Sequence, residues 1–235
     1  MSSSVKKIVV DPLRGAVGFF AALVAIPFIV GPVRLIRGES AKEIKPEVKT
    51  MANMSKVMYE ECEHRETEAR KHGWNLLHPF NWPKYAMFTK GSVLLVAFQG
   101  TKECPDFKHN AMIFFNLNDS IPLDEVKSDL WRALRIRPDI TEIQVTGHSL
   151  GGTRAALLAK WGKENPHLRL NISGHIFNPG SMWDLDKFLT EELLTGVVAH
   201  HVVGDVLSAG WSKSRMVNYR PRVRDVHSLD TFLNA

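Results

Sequence analysis

The feature that most constrains this chain is a six-residue turn, Gly147-His148-Ser149-Leu150-Gly151-Gly152, between two runs of different periodicity. Before it, Ile140 to Val145 reads as a buried strand. After it, residues 152–163 read as a helix, TRAALLAKW at its heart. A strand that enters a helix through so short a turn leaves room for few side chains. Glycines two before and two after Ser149 let neighbouring backbone approach without a β-carbon clash. The pattern G-x-S-x-G in this context is that of a serine exposed on a strained strand-to-helix turn, the nucleophile elbow. The helix N-terminus behind it favours negative charge developing near Ser149. A plain Gly/Ser turn is the competing reading.

The flanking segments repeat the strand–helix alternation. Tyr85 to Thr89 and Ser92 to Phe98 are strand candidates, residues 122–136 read as an amphipathic helix stopped by Pro138, and residues 172–177 and 197–203 as further strands. Strands alternating with helices predict an α/β fold with a mostly parallel central sheet flanked by helices. Ahead of these, Val48, Met51, Met54, Met58 and Cys62 recur at helical steps, predicting one long scaffold helix that runs to Gly73.

The chain has 235 residues, enough for one sizeable core. Residues 1–37 are expected to be a hydrophobic membrane-associating segment outside that core, 38–46 a charged linker, and 47–235 the catalytic domain. Residues 15–33 carry no charge and would extend about 28 Å as a helix, close to a hydrocarbon core of about 30 Å. A span, a hairpin in one leaflet and a helix packed on the domain remain open. No small-x-small cleavage pattern marks a signal peptide, and Lys6, Lys7 and Arg14 before the run balance Arg34, Arg37 and Lys42 after it.

A net charge of +5 suits an anionic lipid surface and lacks the dense basic stripe of a nucleic-acid binder. Cys62 and Cys104 form neither a disulfide framework nor a zinc spacing, so they fit a reducing compartment or an idle role, with a bond between them left open, and the catalytic domain is expected on the cytoplasmic side of a membrane. No metal and no organic cofactor is expected. Oligomeric state is not legible.

GHSLGG after an apolar strand resembles the class 3 lipase family, relatives of fungal triacylglycerol lipases. The resemblance rests on AFQGT with DFKHN at 97–110, VTGHSLGG at 145–152, HHVVGDVLS at 200–208 and VHSLDTF at 226–232. It implies an α/β-hydrolase fold and hydrolysis of lipid esters through an acyl-enzyme.

A serine nucleophile needs a base and a carboxylate to orient it. In α/β-hydrolases these follow in the order Ser, Asp or Glu, His. Asp205, released by Gly204 at the end of an apolar strand, and His227, in a polar loop near the C-terminus, satisfy that order, and the resemblance implies the same two residues. Asp184 and Asp186 follow the preceding strand. His200 and His201 lie inside a strand and read as structural, while Asp225 and Asp230 flank His227 and read as serving loop structure or solvation.

The backbone N–H of Leu150 is the first expected oxyanion donor, from its place after the nucleophile. The resemblance implies Thr101 as the second, and also implies an arginine where Gln99 stands, a missing supporting charge. It places a lid at residues 102–115, which competes with a plain surface helix. The basic run Lys213, Arg215, Arg220, Arg222 and Arg224 is either an attraction for anionic headgroups or a solvated loop. Within hydrolases, a phospholipase A1 or a mono- or diacylglycerol lipase is the alternative. Outside them, it is a silent hydrolase fold serving as a membrane-anchored interaction protein.

Overall fold

The computed structural model describes residues 39–41, 43–101, 123–166, 170–180, 194–205, 208, 211, 215–221, 223 and 225–234. Eight strands form one sheet: β1 (Glu39–Ala41), β2 (Asn75–Trp82), β3 (Tyr85–Lys90), β4 (Val93–Phe98), β5 (Glu142–His148), β6 (Ile172–Phe177), β7 (Val197–Val202) and β8 (Arg215–Tyr219). Their order is β1-β8-β7-β6-β5-β4-β3-β2. The pairs β2–β3 and β3–β4 are antiparallel, and from β4 to β1 every pair is parallel. The helices are α1 (Pro46–Val57), α2 (Arg65–Arg70), α3 (Leu123–Ile136), α4 (Leu150–Glu164) and α5 (Asp230–Leu233).

The two-residue period of the strands divides the core. In β4, Leu94, Val96 and Phe98 pack with Val126 and Leu130 of α3 and Ala155, Ala156 and Leu158 of α4. Leu95 and Ala97 point the other way, onto Val48, Met51 and Met54 of α1 and Phe232 of α5. The sheet is thus covered on both faces, as its apolar, unalternating strands require. The methionine stripe of α1 is core, as expected.

Three expectations need correction. The long scaffold helix breaks after Val57, and Cys62 lies half-buried between α1 and α2 as a free thiol. The buried Arg65 explains the break. Its guanidinium donates to the carbonyls of Met58 (3.1 Å), Glu60 (3.2 Å), Trp82 (2.6 Å) and Pro83 (3.0 Å). Gln99 Nε2 also donates to the Met58 carbonyl, at 2.7 Å. A carbonyl so engaged is drawn out of the helical ladder.

The linker 38–46 is not wholly a linker, because Glu39–Ala41 pairs in parallel with β8. The basic run 213–224 is not simply a loop, because its residues 215–219 form β8, inserted between β7 and β1. Five residues between two partners complete their ladders whatever their flanking charge. Among the described residues no helix is long and apolar enough to cross a membrane. Residues 15–33, the lid segment 102–115, Asp184 and Asp186 lie outside them.

Candidate active site

Ser149 stands between β5 and α4 with φ 55° and ψ −126°, a conformation that non-glycine residues rarely hold. Its backbone is tied on both sides. The N–H donates to the Phe177 carbonyl at 3.0 Å, while its own carbonyl accepts from Gly152 (3.0 Å) and Gly180 (3.2 Å). The glycines beside it are demanded by space. A β-carbon on Gly147 would strike the backbone of Gly151, and one on Gly151 would strike the Phe98 carbonyl and lie 2.9 Å from the Gln99 carbonyl carbon. Helix α4 therefore begins in direct backbone contact with the end of β4. Leu150, as the first residue of α4, carries one of the orphan amides of a helix start.

Asp205 follows β7, 5% exposed, and its Oδ2 accepts a hydrogen bond from His227 Nδ1 at 3.0 Å. Asp225, as expected of a loop support, accepts the His227 backbone N–H at 3.0 Å. Asp230 opens α5 and lies 3.8 Å from Lys56. His200 and His201 are buried in β7. His200 bonds His175 Nδ1 (2.8 Å) and the Tyr219 hydroxyl (3.0 Å), and His201 bonds Ser208 Oγ (3.0 Å). Both imidazoles are structural in that sense.

A cleft of about 360 Å³ opens beside the pair, lined by Tyr59, Thr101, His148 and His227, with the charged residues Lys56, Asp225 and Asp230 also on its walls. Thr101 and His227, far apart along the chain, thus face one cavity. Among the described residues no group of His, Cys, Asp and Glu is arranged to hold a metal ion.

His227 is fixed less by its own side chain than by its backbone. Its carbonyl lies 2.6 Å from His148 Nε2 and 3.1 Å from Asn178 Nδ2. A carbonyl only accepts, so Nε2 of His148 carries the proton and Nδ1 must accept, here from the Tyr59 hydroxyl at 2.8 Å. Burial, reinforced by the nearby His227, lowers the His148 imidazole to about 3, so it is neutral at physiological pH. Burial likewise raises the Tyr59 phenol, which stays a donor.

Asn178, fully buried with φ 40°, also donates to Val226 (3.2 Å) and accepts the Val202 N–H at 2.9 Å. One amide therefore joins the ends of β6 and β7 to the His227 loop.

Tyr59, Asn178 and the role of His148 were not anticipated. The available signals were weak. His148 lies inside the elbow motif, and Asn178 opens the turn Asn178-Pro179-Gly180 after a buried strand.

Comparison with known proteins agrees with this architecture. The family Lipase (class 3) matches residues 96–177, a stretch that holds Thr101 and the elbow and stops short of Asp205 and His227. MDLA from Penicillium cyclopium, in a mutant form, superposes with a TM-score of 0.54 at 13% identity, over 78% of this chain and 83% of that one. Lipase from Rhizopus microsporus var. chinensis gives 0.46 at 17%, over 66% and 65%. The Rhizomucor miehei lipase propeptide complex gives 0.43 at 14%, over 66% and 60%. The chain spans less than two thirds of those last two. Among curated proteins, none matches the chain. The fold is that of the α/β-hydrolases, and over residues 96–177 the resemblance to the class 3 lipases holds.

Proposed function

We propose that the chain is a serine hydrolase that cleaves carboxylic ester bonds of lipids. Ser149 attacks the ester carbonyl, and His227 takes its proton and later returns it to the leaving alcohol. Asp205 holds the imidazole in the tautomer that leaves Nε2 free to accept. The amides of Leu150 and Thr101 receive the negative charge of the tetrahedral intermediate. Water then hydrolyses the acyl-enzyme, with the same imidazole as base.

The observation that carries this reading is the 3.0 Å hydrogen bond from His227 to a buried carboxylate. It lies in the loop that His148, the residue before the strained Ser149, holds by its carbonyl. Lipid as the substrate class draws support from the family matched over 96–177. In the same reading, residues 15–33 hold the enzyme on a membrane with its catalytic domain in a reducing compartment.

A fluorophosphonate probe on the detergent-solubilised full chain tests the chemistry. Wild type should label and Ser149→Ala should not. A panel of triacylglycerol, diacylglycerol, monoacylglycerol and phospholipid substrates, with the same control, identifies the ester. Folded wild type that neither labels nor cleaves any of them would make this a silent hydrolase fold. Deleting residues 1–37 should release the protein from membranes that resist a carbonate wash.

A further inference from the structure

The structure holds a buried cation that the chemistry above does not use. Arg154 lies one turn into α4 and is 6% exposed. Its Nη1 donates to the backbone carbonyl of Gln99 at 3.0 Å, while its Nε is buried without a hydrogen-bond partner. Among the described residues no carboxylate lies within ion-pair distance of it. A buried, unpaired charge is costly, and a neutral side chain of similar volume would fill the same space without that cost.

The position of the guanidinium gives it a task. Gln99 is two residues before Thr101, and Arg154 is four residues after Leu150 on one helix, so the two lie on the same face. One side chain therefore bridges the two chain segments that supply the amides. Gln99 is held a second time, since its own Nε2 donates to the Met58 carbonyl. Gly100 has no room for a β-carbon between the Tyr59 hydroxyl and the His148 carbonyl. The turn 99–101 is thus held by three contacts, and Arg154 supplies the only charge among them.

We propose that Arg154 is a positioning residue for the oxyanion site, locking the turn that carries Thr101 to the helix that carries Leu150 and keeping a positive charge beneath both. The proposal rests on the hydrolase reading above. Among the described residues the guanidinium's one hydrogen bond goes to a neutral carbonyl. Negative charge developing at the two amides gains from its field more than the uncharged ester does, which favours the transition state.

The test pairs kinetics with hydrogen exchange on full-length Arg154→Met, Arg154→Gln and Arg154→Lys. With a soluble p-nitrophenyl ester, the Met and Gln variants should lose about ten- to a hundredfold in kcat while KM moves less than about twofold, and Lys, which keeps the charge, should recover most of the loss. Amides in the peptide spanning 99–101 should exchange faster in Met than in wild type. A Met or Gln variant that is folded by circular dichroism and retains wild-type kcat and wild-type exchange over 99–101 overturns the proposal. If wild type itself cleaves no ester, the hydrolase reading falls. The exchange data then still decide whether Arg154 holds the turn.

Discussion

On the Ser149 side of the site backbone presses directly on backbone, whereas on the His227 side side chains reach across to a loop. Gly147 and Gly151 are needed because neighbouring carbonyls occupy the space a β-carbon would take. Gly204, which precedes Asp205, is needed for a different reason. Its φ is +97° and a β-carbon there would meet nothing within 4 Å, so it supplies conformation rather than room. Ser149 is thus held by steric necessity, His227 by hydrogen bonds from His148 and Asn178 to its carbonyl. Steric placement fails all at once when violated. Hydrogen-bonded placement loosens by degrees.

The largest effect should come from violating the steric side. Gly151→Ala forces a methyl into the Phe98 carbonyl and the Gln99–Gly100 peptide, all backbone that cannot swing aside. It should cost more than about 3 kcal/mol or prevent folding, while Gly204→Ala should cost only about 1–2 kcal/mol of backbone strain. Urea unfolding of both variants reads the difference. Equal costs would break the distinction between the two glycines.

Next comes the hydrogen-bonded side. Asn178→Ala leaves the buried Val202 N–H unpaired, removes one of two donors to the His227 carbonyl, and puts alanine at a φ of 40°. A loss of about 2–4 kcal/mol follows from one stranded buried donor plus the missing bonds. Ester hydrolysis should fall further than stability accounts for, because the His227 loop gains freedom. Unchanged kcat in folded protein would mean that His148 alone holds the loop.

The same division explains what was legible in the sequence. Strands β4 to β7 are apolar runs bounded by glycine, proline or polar turns, and the elbow glycines stand in a pattern that steric need makes recognisable. The chain-order rule selected Asp205 and His227, which the fold brings into hydrogen-bond contact. What escaped depends on distant partners. β8 is a strand because β7 and β1 lie on either side of it, and β2 has its alternation interrupted, with a register shift between Leu76 and Asn81. Helix α1 stops at Val57 because Arg65 and Gln99 capture a carbonyl. Asn178 and Arg154 likewise act on backbone carbonyls, His227's 49 residues away and Gln99's 55. Backbone carbonyls leave no mark in a sequence, so no periodicity or spacing announces such contacts.

At neutral pH the smallest effect is expected where the two sides meet, at His148, and it emerges only as the pH falls. The imidazole is held at about 3 in the folded protein, against an ordinary value near 6.5 in the unfolded chain. Between those values the unfolded chain takes up a proton that the folded protein refuses. Stability therefore falls as pH drops from about 6.5 to about 3, by up to about 1.4 kcal/mol per pH unit from this one group, and is indifferent to it above that window. His175 and His200, lowered by burial as well, add slope of the same sign. His148→Gln keeps a donor for the His227 carbonyl and removes one titrating group. Its urea stability, followed from pH 7 to pH 4, should decline less steeply than that of wild type by about one proton's worth. Parallel curves would mean that the imidazole is not held neutral between Tyr59 and His227, and the hydrogen-bonded side of the site would lose its central link.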